Sequence, residues 1–254
     1  MAELTIPVLV LLAVLGLVGG IGITAVGPGG VLPTIGLFTL TAASPSVVAG
    51  TAIVTHVATG VLATAAYTRS GHLRDPATRR TALLLAAAAL FGTPVGVLIN
   101  ARVSERVFGL VLGSFVAFVA VLVWYREHRA RVVATAHPSA PLVAGIGFAV
   151  AVAAGIVGIG GPMLTVPLLV ALGVPVLESL ASAQVQSIVI AGVGTLGYLA
   201  HGAIDWPLAA LVGIPELAGV LIGWKIAQAL PTRSLKNALV VTLLALAPYL
   251  ALRG

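Results

Sequence analysis

Two glycine-rich segments interrupt the apolar stretches of the chain in which they lie. The first reads GPGGVLP, from Gly27 to Pro33, and the second reads GIGGPMLTVP, from Gly158 to Pro167. A broken helix frees backbone N–H and C=O groups, and the half-helix that follows favours an anion at its N-terminal end. Close helix packing, which glycine also permits, is the alternative. The glycines predicted to contact an anion are Gly27, Gly29, Gly30, Gly158, Gly160 and Gly161.

Polar residues at helical spacing follow each glycine-rich segment. Thr51 and Thr55 lie four residues apart in the first half, and Ser182 and Gln186 do so in the second. Each pair therefore lies on one face of a helix. We predict that these four side chains donate hydrogen bonds to substrate oxygens. A hydrogen bond to a carbonyl of the same helix is the alternative for the hydroxyl groups.

Three more polar residues are expected near the middle of their helices. His56 and Ser187 lie at equivalent depths, and we predict that both contact the substrate. Histidine titrates near neutral pH, so His56 could also carry a proton, and a neutral hydrogen bond between helices is its alternative. Glu216 must be protonated, paired or beside water, because burying an unpaired carboxylate is costly. We predict proton coupling through Glu216 and His56, with a structural hydrogen bond as the alternative for Glu216.

Other chemistries have little support in the sequence. Neither glycine segment follows a soluble strand or leads into the Gly-Lys-Ser/Thr of a phosphate-binding loop. No Gly-x-Ser-x-Gly elbow identifies a nucleophile. The five histidines form no close-spaced ligand pair, and the chain has no cysteine. We therefore predict no enzymatic activity, no cofactor and no metal site.

The elements that must position these residues are membrane-spanning helices. Of the 254 residues, 59% are hydrophobic and only 8% are charged, whereas a soluble domain has about 25% charged residues. The net charge of +6 comes from short clusters between apolar runs, which indicates membrane topology rather than binding of nucleic acid. The composition predicts an all-α multi-pass protein with the lipid bilayer as a partner, which we expect in the cytoplasmic membrane, and the helix breaks predict a small anion as the other partner. A monomer and a homodimer both stay open.

Eight apolar runs are long enough to cross a bilayer, which takes roughly 20 residues. Two shorter pieces, near 30–43 and 162–175, follow the glycine breaks and are half-helices, re-entrant arms or short spans. The eight long runs lie near 5–25, 46–68, 80–100, 105–125, 140–158, 178–200, 206–230 and 233–252.

The chain also contains an internal repeat. A shift of 131 positions superposes Gly27 on Gly158 and Tyr67 on Tyr198. The positive-inside rule places the arginine-rich loop around Arg74 in the cytoplasm and the equivalent loop around Asp205 outside. This predicts two inverted repeats of five segments each, with both ends outside. The predicted units are a first repeat over 1–127, a basic cytoplasmic linker over 128–138 and a second repeat over 139–254.

These segments resemble a known family of membrane permeases. GPGGVLP followed by AGTAIVTHVATGVLATAAYTRSGHLRD, and GIGGPMLTVPLL followed by ASAQVQSIVIAGVGTLGYLAHGAIDW, are similar to the two signature halves of the TauE/SafE sulfite exporter family. The resemblance implies a secondary transporter that moves sulfite or an organosulfonate such as sulfoacetate by alternating access. An anion channel, or a permease for a small organic anion without sulfur, is the alternative. Export and uptake both stay open.

Overall fold

The computed structural model describes residues 4–128, 138–231 and 234. Within them the protein consists of α-helices joined by turns and two short 3₁₀ helices, without strands. In chain order the α-helices are α1 (Ile6–Ala25), α2 (Val31–Leu40), α3 (Pro45–Arg69), α4 (Pro76–Asn100), α5 (Glu105–His128), α6 (Ala140–Val157), α7 (Pro162–Ala171), α8 (Val176–Ala200) and α9 (Trp206–Ala229).

Six of these helices are long and apolar enough to cross a membrane, which confirms the all-α multi-pass prediction. They are α1, α3, α4, α6, α8 and α9. Large apolar side chains remain exposed on their outer faces, among them Phe91 at 71% and Ile214 at 69%. A surface of this kind suits lipid rather than water. The predicted linker, except for its ends, and the predicted last span over 233–252, except for Ser234, lie outside the described residues.

Local sequence explains where α4 and α9 begin. Asp75 caps α4 by accepting the Thr78 amide at 2.7 Å, and Asp205 caps α9 by accepting the Leu208 amide at 3.1 Å. Proline occupies the first turn of both helices, where its missing N–H leaves no hydrogen bond unmade. A capping carboxylate also interacts favourably with the positive end of the helix dipole.

The two predicted helix breaks are present. Gly27 follows α1 with φ +111°, and Gly158 ends α6 with φ +74°, a region that side chains other than glycine rarely occupy. The helices that follow, α2 and α7, have only ten residues each. At 1.5 Å per residue they extend about 15 Å, which is half the thickness of the hydrocarbon layer.

The two halves of the chain pack against each other in equivalent ways. α1 lies along α9 and α6 lies along α4, so the first α-helix of each half contacts the fourth α-helix of the other. α3 packs against α8 at the centre. These two helices are antiparallel, because Gly50 lies beside Ala203 while Gly60 lies beside Ile188.

Close contacts between glycines and carbonyl groups repeat in the same way. A Cβ atom on any of four glycines in α4 and α9 would meet a carbonyl oxygen of α6 or α1. Each contact in one half has a counterpart in the other, in which the carbonyl residues differ by 131 positions and the glycines by 127. The pairs are Gly92 with Phe148, Gly96 with Val152, Gly219 with Leu17 and Gly223 with Ile21.

Two buried tyrosines make the same hydrogen bond in the two halves. The hydroxyl of Tyr67 donates to the carbonyl of Thr24 at 2.6 Å, and that of Tyr198 donates to the carbonyl of Gly155 at 2.6 Å. Both members of the first pair map onto the second by the shift of 131. We expect Tyr67→Phe and Tyr198→Phe each to lower the stability of the protein by a similar amount, about 1 kcal/mol.

Thermal unfolding in detergent, with both single variants and the double variant, measures this effect. The two bonds lie in different halves and share no partner, so the double variant should show the sum of the two losses. A large loss for one tyrosine and none for the other would contradict the equivalence of the two halves.

Candidate functional site

The imidazole of His56 lies between the two helix breaks. His56 is on α3 and is only 1% exposed. A Cβ atom on Gly30 would lie 3.2 Å from Cε1 of the ring, and a Cβ on Gly160 would lie 3.6 Å from Cγ. The breaks also contact each other, since Gly27 lies against Pro162 and Val166 of α7. The structure thus brings residues from both glycine segments to one histidine.

Glu216 on α9 approaches the same histidine. Its Oε1 atom lies 3.1 Å from Nδ1 of His56, and the Glu216 side chain has no solvent exposure. This distance allows an ion pair when His56 is protonated, and Oε1 has no hydrogen-bond partner within the described part of the chain. Among the described residues, Oε2 of Glu216 and Nε2 of His56 also have no hydrogen-bond partner. Unpaired buried atoms of this kind are costly, and a bound ligand or proton would satisfy them.

The second break presents its backbone beside polar side chains of α8. A Cβ on Gly160 would lie 2.7 Å from Oγ of Ser187, and one on Gly161 would lie 3.0 Å from Oε1 of Gln186. Within the described parts of the chain, the amides of Gly160 and Gly161 donate to no backbone carbonyl. Ser187 and His56 are related by the shift of 131, so the same position in α3 and α8 supplies both side chains to this region.

Two glutamines hold the helices around the site in place. Oε1 of Gln186 accepts a hydrogen bond from Thr165 of α7 at 2.5 Å, while its Nε2 donates to the carbonyl of Gly147 at 3.1 Å. Nε2 of Gln184 donates to the carbonyl of Ile23 at 3.1 Å. Its Oε1 is buried without a hydrogen-bond partner among the described residues. α8 is therefore linked through side chains to α1, α6 and α7.

The other predicted polar contacts have partners in the protein. Oγ1 of Thr51 accepts the amide of Asp205 at 2.9 Å, and Thr55 donates to the carbonyl of Ala52 in its own helix at 2.9 Å. Ser182 donates to the carbonyl of Thr78 at 3.2 Å. These bonds connect α3 with the start of α9 and α8 with α4. Their contacts to a substrate stay predictions.

Two of the predicted glycines contact helix backbone rather than His56. A Cβ on Gly29 would overlap Gly19 and Gly22 of α1, and one on Gly158 would overlap the backbone of Ala49 in α3. Both glycines therefore allow close packing in this structure, which is the alternative that the sequence left open. Substrate contacts from them stay predictions.

Sequence reasoning did not single out Thr34 and Thr165. Thr34 of α2 donates to the carbonyl of Gly158 at 3.3 Å, so it ties the first half-helix to the second break. Thr165 ties α7 to Gln186. The two threonines are separated by 131 positions, so applying the repeat to every polar residue of the half-helices would have found them.

The part of the chain that the structure describes contains no cluster of three His, Asp or Glu side chains that could hold a metal ion. What it does contain is a buried group of hydrogen-bond donors around the His56–Glu216 pair. Backbone amides, a serine hydroxyl and an imidazole are the groups that proteins use to bind oxyanions.

Comparisons with known proteins identify the family of the chain. A profile of the family described as sulfite exporter TauE/SafE matches residues 12–250 of the chain. A curated protein named "Probable membrane transporter protein ORF9", from Sinorhizobium sp, is 30% identical over 94 residues. That similarity covers 37% of this chain and 36% of the relative's length. No solved structure is significantly similar to the chain.

The family profile covers both helix breaks and all the residues that surround His56. It also covers the apolar helices that could cross a membrane. The chain is therefore a multi-pass membrane protein and belongs to the TauE/SafE sulfite exporter family of membrane transporters.

Proposed function

We propose that the protein is a secondary transporter that carries a small sulfur-containing anion, sulfite or an organosulfonate such as sulfoacetate, across the cytoplasmic membrane. The observation that supports this most strongly is the meeting of both helix breaks at the buried His56–Glu216 pair. Transporters of several folds place their substrate between interrupted helices near the middle of the bilayer. The family name supports the choice of a sulfur oxyanion.

The groups around His56 suit an oxyanion. The amides of Gly160 and Gly161, the hydroxyl of Ser187 and Nε2 of His56 all come from the two breaks or the two central helices. In the absence of bulk water, such donors bind a sulfonate or sulfite oxygen more strongly than they would at a surface. We place the substrate oxygens against these donors, with Gly30 next to the imidazole.

Alternating access requires two halves of the protein that move so that the substrate site opens to each side of the membrane in turn. The antiparallel arrangement of α3 and α8, which are equivalent in the sequence repeat, supports inverted halves. Thr51 contacts Asp205 at the starts of α3 and α9, whereas Ser70 contacts Trp224 near their ends, so these two helices run in the same direction. We infer that the two halves rock against each other around α3 and α8.

Charge balance favours a coupled proton. A protonated His56 and an ionised Glu216 are neutral together, so a bound monoanion would leave one negative charge in apolar surroundings. A proton on Glu216 restores neutrality, which avoids the cost of an unpaired buried charge. The neighbouring helices α1, α2 and α7 carry no ionisable side chain that could compensate instead. We infer that one proton moves with each negative charge of the substrate.

Transport into vesicles tests the proposed substrate class. The purified protein is reconstituted, and uptake of sulfite, sulfoacetate, taurine, thiosulfate and sulfate is measured with and without an imposed pH gradient. We expect saturable uptake of one or more sulfur oxyanions, increased by the gradient. Uptake of none of them, together with no binding, would leave the proposed substrate class unsupported.

Gly160→Ala should block the site while leaving the fold intact. The added methyl group would approach Oγ of Ser187 within 2.7 Å and would face the imidazole of His56. A misplacement of this size in a binding site costs about 10- to 100-fold in rate. Gly192→Ala is the matched control, because a Cβ atom there would meet no described residue within 4 Å and a helix favours alanine over glycine.

The comparison is made on initial rates of uptake, normalised to the amount of folded protein in the vesicles. Equal rates for the Gly160→Ala and Gly192→Ala proteins would exclude a substrate site between Gly160 and His56.

A second candidate is an anion channel or a permease for a small organic anion without sulfur. It shares the same donors, since a carboxylate also binds backbone amides and imidazole. Uptake of acetate or lactate in place of the sulfur compounds would favour such a permease. Conductance that does not saturate with anion concentration would favour the channel.

A further inference from the structure

A cavity lies at the C-terminal end of α3. It has a volume of about 500 Å³ and is formed between the end of α3, the turn after it, the first turns of α4 and the middle of α8. Its charged lining residues are Arg74 and Arg79, and its inner wall includes Val185. The remaining lining, apart from Thr68, is apolar. The lining formed by the described residues is therefore basic, without an acidic side chain.

The two arginines are available to bind a ligand. Within the described residues, neither guanidinium group has a hydrogen-bond or ion-pair partner, and both side chains are exposed. The hydroxyl of Thr68 donates to the carbonyl of Thr64 at 2.7 Å, so the donors that face the cavity come from the arginines. Asp75 lies between them in sequence, but it caps α4 and does not line the cavity.

The chemistry of this cavity fits an oxyanion. A guanidinium group offers a planar fork of N–H donors that matches the oxygens of a sulfonate, sulfate or phosphate. A recess with low-dielectric walls and charges of one sign concentrates anions of the opposite sign. Isolated arginines that only fix membrane topology need no such recess, and the adjacent Arg80 is an example, because it is exposed on α4 and does not line the cavity.

The cavity and the central site both include residues of α8. Val185 lies between Gln184 and Gln186 on α8, and Gln186 is beside Gly161 of the second break. We propose that Arg74 and Arg79 form a second, peripheral binding site for an oxyanion, from which an anion passes along α8 to His56. Its role in access rests on the proposed transport function, whereas binding in the cavity does not.

Two sources can supply this oxyanion, a soluble anion and the phosphate of a lipid headgroup. Full-length protein in a neutral detergent is titrated with sulfoacetate, and separately with sodium phosphate, at constant ionic strength, and binding is followed by thermal unfolding. A parallel series uses short-chain phosphatidylglycerol against phosphatidylcholine. We expect Arg74→Gln/Arg79→Gln to raise the Kd of at least one of these probes roughly 10-fold.

Two further variants make the result specific to the cavity. Arg80→Gln removes the adjacent arginine and should leave every Kd unchanged. His56→Ala removes the central imidazole and should retain the arginine-dependent binding, so the peripheral site is tested even when transport fails. A response to sulfoacetate or phosphate identifies a soluble anion, and a response to phosphatidylglycerol alone identifies a headgroup. Equal Kd values for Arg74→Gln/Arg79→Gln and Arg80→Gln with every probe would overturn the proposal.

Discussion

Glu216→Gln is expected to abolish the accumulation of the anion that a pH gradient drives, while exchange of anion for anion continues. Glutamine has nearly the same shape as glutamate, so packing at this fully buried position is preserved. It cannot take up or release a proton, so the charge of the bound anion can no longer be balanced through this side chain. With one coupled proton, a gradient of one pH unit is worth about 1.4 kcal/mol and supports roughly 10-fold accumulation, so we expect the ratio of internal to external anion to fall from roughly 10 to about 1.

Two assays on the same vesicles separate coupling from binding. Net uptake is measured with an imposed pH gradient, and exchange of labelled for unlabelled anion is measured at equal pH. Glu178→Gln is the matched control, because it removes a carboxylate from the first turn of α8 rather than from the site. Accumulation by the Glu216→Gln protein that still follows the pH gradient would rule out a coupling role for Glu216.

The double variant His56→Gln/Glu216→Gln probes the pair itself. Removing one member of a buried ion pair leaves the other without its partner, whereas removing both leaves two neutral amides. We therefore expect the double variant to be more stable than the sum of the two single losses predicts. Strict additivity of the two losses would show that His56 and Glu216 do not interact energetically.

Gly158→Ala is expected to cause the largest loss of stability among the substitutions considered for the breaks. Gly158 has φ +74°, which costs an alanine about 1–2 kcal/mol. Its Cβ would also overlap the backbone of Ala49, and overpacking of this kind adds about 1–3 kcal/mol. The sum, about 2–5 kcal/mol, corresponds to a decrease in Tm of roughly 5–15 °C for a chain of this size.

Gly202→Ala provides the matched control for this prediction. Gly202 also has a positive φ, +62°, but a Cβ atom there would have none of the described residues within 4 Å. It should therefore lose only the backbone contribution, about 1 kcal/mol. Thermal unfolding of the two variants in the same detergent gives the difference. Equal Tm values would contradict the close approach of the second break to α3.

The helices and their breaks could be predicted because each depends on local sequence. Gly27 and Gly158 are followed by proline-containing segments too short to cross the hydrocarbon layer, and α2 and α7 end after ten residues. The first and last residues of α3 and α8 also differ by 131 positions, which is the shift of the sequence repeat. Long apolar helices are easy to recognise because nearly every residue in them reports on the surroundings.

The composition of the site could be predicted only in part, because it depends on contacts between distant segments. The sequence marks His56 and Glu216 as unusual polar residues in apolar helices, but no spacing in it predicts that their side chains are in contact. Thr51 and Ser182 have the spacing expected of a binding face, yet in the structure they bind the Asp205 amide and the Thr78 carbonyl. A polar stripe on a helix marks a face that meets polar partners, without showing whether these are substrate or protein.

The direct test of a carrier that encloses its anion between the two breaks is counterflow. Vesicles containing the wild-type protein are loaded with an unlabelled sulfur oxyanion that supports uptake and are diluted into a trace of the labelled form at equal pH. The account predicts a transient accumulation of label above equilibrium, saturable in the external anion and lost in the Gly160→Ala protein but kept in the Gly192→Ala protein. Label that rises only to equilibrium, at a rate proportional to anion concentration without saturation, would contradict the account and indicate a channel.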